Sequence, residues 1–172
     1  PSALVHGGSG QSAGDVVEGY LRGLSAAVDA LSRADLRAMT EALLAACRRG
    51  RRVYLVGNGG SASTASHIAN DLNKHAVAAG HAKFRAFALT ESVPLLTAWG
   101  NDEDFRMVFR RQLDNHLEPG DVLVAISTSG ESPNILEAVE LARERGAVTV
   151  ALTGDKGGQL RRMADLCVCV PS

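Results

Sequence analysis

The first part of the chain carries apolar residues at helical spacing. They recur three or four positions apart, at Val17, Tyr20, Leu21, Leu24, Val28 and Leu31. Ser32 is followed by Asp35, a pattern typical of an N-cap with a carboxylate in the first helical turn. A second amphipathic helix is therefore predicted, with its apolar positions at Leu36, Met39, Leu43, Leu44 and Cys47.

After residue 51 the spacing of apolar residues changes repeatedly between the period of a strand and that of a helix. The predicted strands are residues 52–56, 85–89, 121–126, 147–152 and 166–170, and the predicted helices are residues 62–73, 92–99, 103–116 and 133–145. Short apolar strands that alternate with helices predict an α/β fold, with a mostly parallel sheet covered by helices on both faces. We divide the chain into a flexible leader (1–11), an N-terminal helical arm (12–51) and a sheet domain (52–172).

Composition excludes several classes of protein. The formal net charge is −1, with 18 basic and 19 acidic residues, so no charge footprint for nucleic-acid binding is present. No apolar run approaches the roughly 20 residues that cross a bilayer, and the first residues lack the order typical of a secretory signal. We therefore predict a cytoplasmic location and neither a nucleic-acid nor a membrane partner. The three cysteines lack CxxC spacing and are interpreted as packing residues.

Two segments repeat one arrangement of strand, Gly/Ser-rich loop and helix. Residues 57–61 read Gly-Asn-Gly-Gly-Ser and follow the first strand, and residues 127–132 read Ser-Thr-Ser-Gly-Glu-Ser and follow the third. Such loops let backbone N–H groups approach an anion beside a helix N-terminus, and the second loop adds four hydroxyls. Because ligands of open α/β sheets bind beyond the carboxyl ends of the strands, both loops are expected at one crevice. The simpler interpretations are a tight turn for the first loop and a capping turn for the second.

Two further pairs are candidates for chemistry. His67 and Asp71 stand at i and i+4 on the helix after the first loop, so their side chains can reach one spot. They form either a solvated pair, a general base with its partner, or two metal ligands. Asn101 and Asp102 follow the helix that begins near Ser92 and are either a helix break or contacts to substrate hydroxyls.

In order and spacing, these motifs resemble the phosphoheptose isomerase branch of the sugar isomerase (SIS) domain family. The resemblance rests on residues 57–62 (GNGGSA), His67, residues 100–102 (GND), residues 125–130 (AISTSG), residues 152–158 and the closing residues 170–172. It implies a flavodoxin-like domain, a homotetramer and the interconversion of D-sedoheptulose 7-phosphate with D-glycero-D-manno-heptose 7-phosphate.

The resemblance also implies roles for individual residues. By this resemblance the phosphate is bound by Ser127, Thr128, Ser129 and Ser132. The sugar site is lined by Asn58, Gly59, Gly60, Ser61, Asn101 and Asp102. His67 corresponds to a ligand of one zinc ion per subunit in the members that bind zinc. Asp71 stands where the family normally has Glu, which serves as base and metal ligand. The side chain of Asp is shorter, which changes how far its carboxylate can reach as a base and how it can coordinate a metal.

The family pattern continues past the last strand into a helix that supplies a Gln ligand and a catalytic His, whereas this sequence stops at Ser172. We expect that helix beyond residue 172, with the remaining zinc ligands, because a sheet without its covering helix would expose an apolar face.

Moving a carbonyl from C2 to C1 requires removal of a proton from the neighbouring carbon, an enediol, and return of a proton to the other carbon. Asp71 is the candidate base, with His67 beside it. Two alternatives remain: an isomerase of another long-chain ketose phosphate, such as octulose 8-phosphate, and a non-catalytic SIS module that senses a sugar phosphate or binds a DnaA-like protein.

Overall fold

A computed structural model describes residues 12–74 and 82–171, so the predicted leader lies outside the described residues. The five strands are β1 (Arg52–Gly57), β2 (Arg85–Ala88), β3 (Val122–Ser127), β4 (Val148–Gly154) and β5 (Leu166–Val170). The seven α-helices are α1 (Ala13–Asp29), α2 (Arg33–Arg48), α3 (Gly60–Lys74), α4 (Val93–Asp102), α5 (Val108–Asp114), α6 (Pro133–Glu144) and α7 (Gly158–Met163). None of the helices in these described ranges is long and apolar enough to cross a membrane.

The strands form one parallel sheet in the order β2-β1-β3-β4-β5. This is the flavodoxin-like order, and it confirms the predicted fold class. The order reverses between β1 and β3, whose neighbouring ends carry the two Gly/Ser-rich loops. Ligands of such sheets bind at that switch point, beyond the carboxyl ends of the strands.

Helices cover both faces of the sheet, as predicted. α2 and α3 pack on one face, where Leu43, Cys47 and Ala65 meet inward residues of β1 and β3. The other face is covered by α4 to α7, with Phe109, Ile135 and Leu160 among the buried residues. All six residues of β3 are buried, which is why this strand is apolar up to its last residue, Ser127, instead of alternating with polar residues.

The two N-terminal helices differ in how they pack. α2 begins at the predicted Ser32 cap, whose hydroxyl accepts from Asp35 N at 3.2 Å, and it packs directly on the sheet. α1 has a capping box between Ser12 and Asp15, but none of its residues is buried. Its apolar stripe is open, with Tyr20 59% exposed. The arm is thus two helices with different surroundings, and its boundary at residue 51 remains a prediction.

One predicted helix is wrong in its bounds, and one helix was missed. The helix predicted over residues 103–116 begins only at Val108, because Asp104 is extended (φ −156°) and its carboxylate accepts from Arg106 N at 2.7 Å. That contact starts a short 3₁₀ turn over Phe105–Met107 instead of an α-helix. α7 was not predicted, since six residues after a glycine pair are too few to show a period.

Candidate functional site

The two Gly/Ser-rich loops meet in one depression of about 240 Å³ at the carboxyl edge of the sheet. The first loop contributes Asn58 and Ser61, and the second contributes Ile126, Ser127, Thr128, Ser129 and Ser132. The structure therefore brings together six of the residues assigned to substrate from the sequence. They come from strands that are adjacent in the sheet but about 70 residues apart in the chain.

Hydroxyl groups of the second loop are arranged around its own backbone. Ser127 Oγ accepts from Gly130 N at 3.2 Å and lies 3.3 Å from Ser132 Oγ. Ser129 is exposed, and its Oγ accepts from Glu131 N at 3.2 Å. Ser132 is the N-cap residue of α6, but its side chain makes no capping hydrogen bond. Its hydroxyl instead lies beside Ser127 within the depression.

Backbone dipoles supply the electrostatics of the depression. α3 begins at Gly60 and α6 at Pro133, so two helix N-termini border it. None of the described residues that line it is charged. Partial positive charge at helix starts, together with hydroxyl donors, suits a phosphate group without a cluster of basic residues.

The end of β4 and the start of α7 pack against the second loop. Gly154 N donates to Thr128 O and Leu160 N donates to Gly130 O, both at 3.0 Å. Glu131 adds contacts to Gln159, whose N and Nε2 donate to its carboxylate at 2.8 and 2.7 Å. Residues 154–160 therefore pack directly against the hydroxyl-bearing loop.

A pair of amides that the sequence analysis missed joins the two loops. Asn58 Nδ2 donates to Asn134 Oδ1 at 2.9 Å, and Asn134 Nδ2 donates to Asn58 Oδ1 at 2.8 Å. Asn134 is only 2% exposed. A signal was present, because Asn134, Ala138 and Leu141 share one helical stripe of α6 and a polar residue within a buried stripe calls for a partner.

His67 and Asp71 lie together on the exposed side of α3, with Nε2 and Oδ2 3.3 Å apart. Neither lines the depression. Along the helix axis His67 lies about 9 Å and Asp71 about 15 Å from Ser61, at 1.5 Å per residue. The described chain therefore places this pair on the helix that starts at the depression, but beyond its rim.

The pair fits zinc in ligand type and spacing. Two ligands about 2.1 Å from a tetrahedral zinc ion lie about 3.4 Å apart, close to the 3.3 Å between these atoms. Zinc takes three or four protein ligands, however, and within the described ranges no group of three or more His, Cys, Asp or Glu side chains is placed to hold a metal. His67 and Asp71 thus form at most half of a tetrahedral site.

Asn101 and Asp102 end α4 in exposed positions, where Asn101 Nδ2 donates to Asp102 Oδ1 at 2.9 Å. Neither of them lines the depression. The next residues do approach the site: Asp104, Phe105 and Arg106 line a second depression of about 360 Å³ together with Asn58, Ser132, Pro133 and Asn134. Phe105 is 57% exposed there.

Known proteins resemble the chain over most of its length. The SIS domain family model matches residues 18–154. A phosphoheptose isomerase from Rhodospirillum rubrum is 47% identical over 128 residues, which are 74% of this chain and 68% of that protein. The chain belongs to the phosphoheptose isomerase branch of the SIS domain family. It is accordingly an isomerase.

Solved structures of SIS domain proteins have the same fold. The phosphoheptose isomerase of Neisseria gonorrhoeae is 35% identical, with a TM-score of 0.82 over 92% of this chain and 84% of that one. The phosphoheptose isomerase of Francisella tularensis is 32% identical, with a TM-score of 0.84 over 94% of this chain and 87% of that one. The sheet order and the helical layers described above are therefore those of this family.

Proposed function

We propose that this protein is an aldose–ketose isomerase that converts D-sedoheptulose 7-phosphate to D-glycero-D-manno-heptose 7-phosphate through an enediol. The observation that carries the proposal is the uncharged, hydroxyl-lined depression between the N-termini of α3 and α6. It suits the phosphate of a small sugar, and the chain's relatives are phosphoheptose isomerases.

We assign the phosphate to Ser127, Thr128, Ser129 and Ser132. Anchoring the phosphate there places the rest of the sugar along the rim towards α3 and contributes binding energy remote from the reacting carbons. Asn58, Gly59, Gly60 and Ser61 form the rim on that side. A β-carbon built on Gly59 or Gly60 would meet no atom within 4 Å, so space for a ligand lies next to their backbone. Asn101 and Asp102 remain weaker candidates for sugar contacts.

Asp71 is the proposed base. Its carboxylate takes the proton from C1 of the ketose and returns it to C2, and one base can serve both carbons because they are neighbours. His67, 3.3 Å from Asp71, holds the carboxylate on this side of the helix. Zinc bound to His67 and Asp71 would supply stabilisation of the negative charge that develops on the enediol oxygens. The further ligands are proposed to come from outside the described residues.

A homotetramer is proposed from the open apolar stripe of α1. Val17, Tyr20, Leu21, Leu24 and Val28 are each at least 50% exposed, which is unusual for a contiguous stripe on a monomer. Sedimentation of the wild-type protein should give a tetramer, and Leu24→Asp should give smaller species, whereas Arg22→Ala on the same helix should not. A monomeric wild type would contradict this proposal. Cytoplasmic location and a role in activated-heptose biosynthesis stay predictions.

Incubation with D-sedoheptulose 7-phosphate tests the proposed reaction. Chromatography should detect an aldose 7-phosphate that accumulates with time and protein concentration. Two other outcomes are informative: conversion only of an octulose 8-phosphate would change the substrate, and phosphate binding without turnover of either sugar would favour a sensing module.

A further inference from the structure

The Asn58–Asn134 pair joins the element that bears the proposed base to the element that bears the proposed phosphate site. Asn58 O accepts from Ser61 N at 2.9 Å and from Ala62 N at 3.3 Å, so its backbone closes the first turn of α3. Asn134 is the second residue of α6, two positions after Ser132. A shift of one amide relative to the other would therefore change the separation of α3 from the phosphate-binding hydroxyls.

The amide pair is geometrically demanding. Both bonds require the two side-chain planes to align, since each amide donates one N–H to the other and accepts one in return. Asn134 is buried, so losing its partner would leave a polar group away from water, which favours the paired arrangement strongly. Asn58 is only half-buried and lines both depressions, so its second N–H can still reach a ligand.

The second loop does not depend on this pair for its own shape. Its bonds to the end of β4 and to α7 run through Thr128 O and Gly130 O, and its internal bonds include those from Gly130 N to Ser127 Oγ and from Glu131 N to Ser129 Oγ. None of these contacts involves Asn58 or Asn134. Anion binding by the loop and alignment of α3 are therefore separable properties.

We propose that Asn134 is a positioning residue of the isomerase: through Asn58 it fixes the start of α3, and with it Asp71, at the distance from the phosphate that proton transfer requires. This rests on the proposed function. It predicts that removal of the amide lowers turnover while the phosphate anchor stays intact.

The test compares Asn134→Leu with the wild type in two measurements. Turnover of D-sedoheptulose 7-phosphate should fall about 10- to 100-fold, the factor that the loss of two net hydrogen bonds allows. The dissociation constant of inorganic phosphate, from ³¹P NMR titration, should change less than about twofold. Turnover within about twofold of wild type, or turnover and phosphate affinity falling by one common factor, would overturn the proposal.

Gln112→Leu is the matched control. Gln112 is also a buried amide with two hydrogen bonds, to Leu89 O and Val108 O, but it lies away from both loops. The Gln112→Leu variant should have a lower melting temperature and unchanged turnover.

If Asn134→Leu does not fold, Asn134→Ser is the second variant, because its hydroxyl cannot exchange two hydrogen bonds with Asn58. It should likewise lower turnover and leave phosphate affinity unchanged. A wild type that binds phosphate but produces no aldose would count against the proposed reaction itself, whereas an active wild type with an unaffected variant would refute only the role of Asn134.

Discussion

Gly130 lies so close to Gly157 that a β-carbon on Gly130 would stand 2.0 Å from the Gly157 carbonyl oxygen. Its φ of +66° adds a backbone conformation that other residues rarely adopt. The hydroxyl-bearing loop can therefore sit against the segment after β4 only because this position has no side chain.

Gly130→Ala should destabilise the protein and displace the loop. We expect a loss of about 1–3 kcal/mol from overpacking beyond the cost of the backbone conformation alone. Gly50→Ala is the control, because Gly50 has the same φ of +66° but a β-carbon there would meet nothing within 4 Å. Urea unfolding of both variants measures the difference, and equal losses would show that the close contact contributes nothing.

Ser129→Ala tests the phosphate assignment. Ser129 is exposed at the depression, and loss of a hydrogen bond to a charged phosphate oxygen should weaken substrate binding by about 1–3 kcal/mol. Thr40→Ala removes an exposed hydroxyl of α2 remote from the loops and should have no effect. The Michaelis constant and the inhibition constant of inorganic phosphate report the change. An unchanged affinity in Ser129→Ala would remove this residue from the phosphate site.

Asp71→Asn tests the base. The amide keeps nearly the same shape but cannot accept the proton, so turnover should fall by roughly 10²- to 10⁴-fold with the circular dichroism spectrum unchanged. Asp71→Glu retains a carboxylate and restores the residue that the family pattern has at this position, so it should retain activity. Wild-type turnover in Asp71→Asn would contradict the assignment.

His67→Ala tests the metal site. If His67 and Asp71 share a zinc ion, this variant should lose bound zinc and activity in parallel, as measured by mass spectrometry of the metal content. His116→Ala is the control, since His116 is exposed and lies outside the loops. Equal zinc content in His67→Ala and wild type would place the metal elsewhere.

Local sequence patterns predicted the sheet and most of its helices correctly, because burial of both sheet faces requires apolar residues at regular spacing in the strands and helices. β3 is buried throughout and apolar from Val122 to Ile126, and α2 begins at the cap that Ser32 and Asp35 predicted. The two loops were also predicted to share a crevice, since parallel strands end at one edge. The order of predicted strands and loops along the chain was sufficient for that inference.

Contacts between distant residues were not predictable in the same way. Asn58 and Asn134 are 76 positions apart, and no local period links them. The break at Asp104 depends on one carboxylate turning back to the backbone, which competes with a helix that the apolar spacing favoured. The position of His67 and Asp71 beyond the rim likewise depends on how far α3 extends from the loop.

Isomerisation of D-sedoheptulose 7-phosphate in ²H₂O, followed by NMR, tests whether Asp71 transfers a proton between C1 and C2. The proton that Asp71 removes can exchange with solvent before it is returned, so the product D-glycero-D-manno-heptose 7-phosphate should carry deuterium at C2. Asp71→Asn should be nearly inactive under the same conditions. A ketose that stays unchanged and unlabelled with the wild-type protein and zinc present would contradict it.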